Sequence, residues 1–131
     1  MNALIPALLL LVSGCALLPS SFDSMEHARL VTINQLSHDS SICKDPVRAG
    51  VAAAQITAQA QWLQRYGASL PRNSRMMTME KDLVAMSQSL SDSYARGPVS
   101  TTYCELKLTN IHKATEAVID ISARSEEHTS E

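Results

Sequence analysis

The chain has 131 residues, only four glycines and three cysteines, and a net charge of −2. That balance excludes nucleic-acid binding by counterion release, and so few glycines leave no phosphate-cradling loop. Aromatics make up only 4%, and Ala, Leu, Gln, Met and Ser are prominent, a composition suited to one small helical domain with a modest core.

The first predicted element is the apolar run from Ala3 to Val12. It is too short for a membrane-spanning helix, which takes about 20 residues, and has the length of a secretory h-region. Small residues, Ser13 and Gly14, follow it and lead into Cys15. An uncleaved signal or a buried apolar helix is the competing reading of the run.

Val12-Ser13-Gly14-Cys15 resembles the lipobox of bacterial lipoproteins: a branched apolar residue, a small residue, Gly or Ala, then Cys. The resemblance implies a signal peptide over 1–14, diacylation of the Cys15 thiol and cleavage before it. Several acyl chains on one cysteine meet the need for more than one anchoring signal. Met1-Asn2 departs from the usual signal by carrying no Lys or Arg. In Gram-negative lipoproteins an Asp after the lipidated Cys favours the inner membrane. Ala16 stands there, so the resemblance implies the outer membrane, inner leaflet, facing the periplasm.

Residues 15–23 read as a lipidated tether around Pro19-Ser20-Ser21. Helix 1 is expected from the N-cap candidate Ser24 to about Ser37, with Met25, Leu30, Ile33 and Leu36 inward. His38-Asp39-Ser40-Ser41 breaks it. Asp45-Pro46 starts helix 2, because Asp caps well and Pro suits the first helical position. Helix 2 then runs to about Tyr66, with Val47, Val51, Ala54, Ala58, Trp62 and Tyr66 as its inner face and Gly67 just past its end. Helix 3 runs from Asn73 or Ser74 to about Arg96, with Met76, Met79, Leu83, Met86, Leu90 and Tyr94 at helical spacing. Gly97-Pro98 stops it. Helix 4 follows Ser100 or Thr101 and carries Leu108, Ile111, Thr115, Val118 and Ile121. Short connections favour antiparallel neighbours. The predicted fold is all-α, a small antiparallel bundle of three to four helices over residues 24–123.

Residues 124–131, Arg-Ser-Glu-Glu-His-Thr-Ser-Glu, match the in-frame translation of a common sequencing adapter. They are expected to be foreign to the protein, in which case the last helix is cut short. Their one Arg and three Glu carry the whole net charge, leaving the rest near neutral.

With Cys15 assigned to lipid, Cys43 and Cys104 remain, and an even pair in an oxidising compartment reads as a disulfide. The antiparallel path supports the pairing. Helix 2 leaves the Cys43 end, helix 3 returns to it, and Cys104 lies in the first turn of helix 4. Closing about 60 residues would stabilise by roughly 4 kcal/mol in the chain-entropy model. A redox or metal-binding pair is the alternative, and it lacks C-x-x-C spacing.

No catalytic constellation is present. The serines have no nucleophile-elbow or S-x-x-K frame. Met76, Met77 and Met79 suggest either a copper patch or core packing, and the stripe favours the core. His27, His38 and His112 lack the partners of a metal site. The expectation is therefore no enzyme, no cofactor, no metal and no nucleic acid.

Such a chain holds something near a membrane. A lipid-anchored helical bundle with one disulfide resembles, in layout only, the pilotins of type II secretion. That resemblance spans roughly Met25 to Ile121, with Cys43 and Cys104 in the paired-cysteine places. It implies a binding or assembly module for an envelope protein. A phage- or plasmid-encoded exclusion or lysis lipoprotein, or a periplasmic ligand or metal carrier, are the alternatives. Ala54 and Ala58 offer a small-residue face for a partner helix, with Trp62 and Tyr66 as aromatic anchors. The competing reading puts all four in the core against helix 3.

Overall fold

The computed structural model describes residues 22–71 and 73–129, with side chains up to residue 124. The expected signal peptide and most of the tether lie outside the described residues.

Four helices form: α1 (Ser24–His38), α2 (Pro46–Gly67), α3 (Ser74–Arg96) and α4 (Thr101–Thr129). They pack antiparallel, α1 and α3 each lying against both α2 and α4. Each start has an identifiable cause. Asp23, not Ser24, caps α1, its carboxylate accepting from the N–H groups of Met25 and Glu26 at 3.0 and 2.9 Å. Asp45 caps α2 at the Arg48 N–H, with Pro46 in the first turn. Ser100 caps α4, accepting from the N–H of Tyr103 at 3.1 Å. Gly97, at φ 150°, ends α3 in a conformation that favours glycine.

Between α1 and α2 a short 3₁₀ turn, Ser40–Lys44, fills what was expected to be a plain break. It carries Cys43 to Cys104 in the first turn of α4. The two are joined by a disulfide, with Cα atoms 5.7 Å apart across 61 positions of sequence. Both cysteines are buried. The predicted bundle and its staple are thus present.

The core is built from Leu30 and Ile33 of α1, Ile56 and Leu63 of α2, Met76, Leu83 and Leu90 of α3, and Leu108, Ile111 and Val118 of α4. Burying each large aliphatic side chain contributes roughly 1.5–3 kcal/mol. The α3 and α4 stripes lie where expected. Met76 is buried and Met79 is packed against the core, so both are core residues.

The inner face expected for α2 is wrong from Val47 to Ala58, while its end is partly covered, with Trp62 packed against the core. Val47 is 77% exposed and Val51 53% exposed, and Ala54 and Ala58 also face solvent. The buried face is Ala49, Ala53, Ile56, Ala60, Leu63 and Gly67. Small and apolar residues fall on both sides of α2, so two stripes of helical period coexist. The face with Ile56 and Leu63 removes more apolar area from water and wins. In α1, likewise, Met25 is 52% exposed and Glu26 takes the inward place. Among the described residues no helix is long and apolar enough to cross a membrane.

Candidate functional site

Two regions stand out: an exposed apolar face on α2, and a buried polar cluster at the Phe22 end of the bundle.

The α2 face runs along Val47, Val51, Ala54 and Ala58 and ends at half-buried Trp62 and Tyr66. At its upper half it opens into a groove of about 390 Å³ shared with Leu36 of α1 and Ile42 of the 3₁₀ turn. At its lower half the aromatics are held rigid. Trp62 stacks on Tyr66 with ring centroids 4.8 Å apart and planes 13° from parallel. The Arg29 guanidinium sits 4.3 Å from the Trp62 ring, where cation–π attraction holds it. Arg29 also donates to Gln59 Oε1 at 2.7 Å. The Tyr66 hydroxyl donates to Asp23 Oδ2 at 3.1 Å. Burial, then this bond, pushes the Tyr66 hydroxyl above the usual phenol range.

These contacts divide the four residues singled out from the sequence. Ala54 and Ala58 are not core, and lie free on the outside of α2. Trp62 and Tyr66 cover the α1–α2 seam, where Trp62 packs against the core. The charges of α2 are Arg48 and Arg65, both exposed, and the helix contains no Asp or Glu. A second hollow, of about 520 Å³, lies between the end of α2 and the start of α3, against Arg65, Ala68, Met77 and Lys81.

The buried polar cluster was not foreseen. Glu26 of α1 and Glu80 of α3 are 2% and 0% exposed. Asn73, just before α3, donates its amide to Glu26 Oε2 at 2.7 Å and to the Gly67 carbonyl at 3.1 Å. Gly67 is the last helical residue of α2, and its φ is not positive. Its glycine is explained by approach: a methyl group there would overlap the Glu80 carboxylate. The signal was present in the sequence as polar residues in the buried phase. Glu80 falls in the run Met76, Glu80, Leu83, Ser87, Leu90, and Glu26 in Glu26, Leu30, Ile33, Ser37.

The histidines make local bonds. His27 pairs with Ser122 across α1 and α4 at 3.3 Å. His112 bridges Glu116 at 3.2 Å to Asn34 on α1, and its ring lies 5.3 Å from that of His38. Among the described residues no group of three His, Cys, Asp or Glu is placed to hold a metal ion. Helix α4 continues through residues 124–129 of the expected foreign tail, whose Arg124 pairs with Asp120.

No family model, no curated protein and no solved structure matches the chain.

Proposed function

We propose that the protein is an outer-membrane-anchored periplasmic lipoprotein that binds an envelope protein and holds it at the membrane, a binding or assembly module of the pilotin kind. The observation that carries the reading is the apolar run closed by Val12-Ser13-Gly14-Cys15. The Cys43–Cys104 disulfide is the kind that persists in an oxidising compartment, which suits this location.

The α2 face supplies the docking surface. Its occupant is a helix of the envelope partner, laid with its own apolar stripe along Val51, Ala54 and Ala58. Small side chains let two backbones approach closely, and stacked Trp62 and Tyr66 give a rigid aromatic end. Arg48 and Arg65 lie about 26 Å apart along the helix and call for carboxylates near both ends of the partner helix.

Two measurements test the reading. Labelled palmitate should enter the wild-type chain in cells and not Cys15→Ser, and the wild type taking up no label would overturn the anchor. A photo-crosslinker at Ala58 should trap one envelope protein, and Arg48→Glu with Arg65→Glu should abolish the trapping at unchanged thermal stability. A crosslink only to a second copy, or one indifferent to the charge reversal, would overturn the docking face.

A further inference from the structure

Glu26 and Glu80 play no part in the α2 docking face. They meet at the Phe22 end of the bundle, from the first turn of α1 and the second turn of α3. Both are buried. The Asn73 amide holds Glu26 from one side, and the bare backbone of Gly67 closes over Glu80. No donor reaches either carboxyl oxygen of Glu80 among the described residues. A buried carboxylate without donors is strongly disfavoured, and such a group neutralises instead. The hydrogen-bonding role left to Glu80 is that of a donor, toward the Glu26 carboxylate.

We propose that Glu26 and Glu80 hold one proton between them, and that this proton latches α1 to α3 at the Phe22 end of the bundle. Glu80 carries the proton and Glu26 accepts from it. Loss of the proton to solvent leaves two carboxylates facing each other in a buried site. Their repulsion parts the first turn of α1 from the α2–α3 turn. Burial first, then the bond to Glu26 and its charge, pushes Glu80 up to about 9.

Among the described residues, no neighbour compensates the second charge. From α1, Asp23 is committed to two backbone N–H groups and to the Tyr66 hydroxyl. From α2, Tyr66 is itself raised by burial and by the charges of Asp23 and Glu26. From the start of α3 comes the neutral Asn73 amide. α4 reaches this end through Ser122, which pairs with His27 of α1. None of these groups is a Lys or Arg.

Trp62, the chain's single tryptophan, stacks on Tyr66 beside the cluster and reports on this end. The experiment titrates the full chain from about pH 5 to about pH 10, following Glu carboxyl ¹³C shifts and Trp62 emission. One Glu carboxyl should titrate above about pH 8, and Trp62 emission should shift over the same range. Glu80→Gln keeps the shape and the donor but cannot ionise, and it should abolish the emission shift. Every Glu carboxyl titrating below about pH 6 would overturn the latch, as would a Trp62 shift unchanged in Glu80→Gln. A rise in melting temperature with Ca²⁺ or Mg²⁺ in wild type but not in Glu80→Gln would also overturn it, making the pair a cation site. If Glu80→Gln fails to fold, the wild-type carboxyl titration decides alone.

Discussion

Removing the Cys43–Cys104 staple is the perturbation with the best-defined size. The bond closes 61 positions of sequence. In the chain-entropy model a loop of that length stabilises the native state by about 4 kcal/mol at 25 °C. A helical domain of this size has a total stability of roughly 5–15 kcal/mol, so the loss is a large fraction of the whole. In a thermal scan it corresponds to a fall of about 10–20 °C. Reducing the wild-type protein isolates the loop effect, because the side chains are otherwise unchanged. The double variant Cys43→Ala, Cys104→Ala adds two small cavities, since both residues are buried, and should lose a further ~1–2 kcal/mol. The assay is urea unfolding followed by far-UV circular dichroism, with and without reductant. A loss below about 1 kcal/mol on reduction would refute the reasoning. It would mean that packing of the 3₁₀ turn on α4 already confines the two ends.

The corrected face of α2 predicts an asymmetry: Leu63→Ala should cost about 2–5 kcal/mol in urea melts, and Val51→Ala less than about 0.5. The reverse order would restore the expected face. Gly67→Ala should destabilise by about 1–3 kcal/mol through overlap with Glu80, and combining it with Glu80→Ala should recover part of the loss, a non-additivity read by a double-mutant cycle. Glu80 also makes stability depend on pH. The folded chain holds its proton up to about 9 and the unfolded chain releases it near the ordinary glutamate value of about 4.5, so stability is greatest below that lower value and falls as pH rises toward the upper one. Full linkage over that span is on the order of 6 kcal/mol, the upper bound of the expected fall. Melts across the range should show the fall in wild type and a nearly flat profile in Glu80→Gln.

How much of this was legible depended on whether a helix offered one apolar face or two. In α3 most large apolar residues, Met76, Met79, Leu83, Met86 and Leu90, fall on one side, with Met77 and Val84 off it, so one stripe dominates and the core lies on it. In α4 the stripe from Leu108 to Val118 is equally unambiguous. The helix caps Asp45 and Ser100 and the stop at Gly97 could be read because their chemistry is local. α2 could not be read that way. Alanine and valine line both of its sides, and the decision fell to two bulky residues, Ile56 and Leu63. The loser of that contest is the residual apolar stripe on the surface, which is why the same misreading points to the docking face. Glu26 and Glu80 stand in the buried phase of their helices, but that signal is weak for a different reason. A lone acid on a helix is by default solvated, and the contacts that shape this site, the Asn73 amide on Glu26 and the bare Gly67 backbone beside Glu80, come from other elements. Both surprises lie at the Phe22 end or on α2. On the proposed anchoring, a lipid on Cys15, seven residues before Phe22 and so within about 25 Å of it, would put that end next to the membrane. The staple then sits at the far end, clamping the bundle where no anchor holds it. The shared proton and the aromatic seam sit at the near end, so α1 can yield there without the disulfide-closed end unfolding.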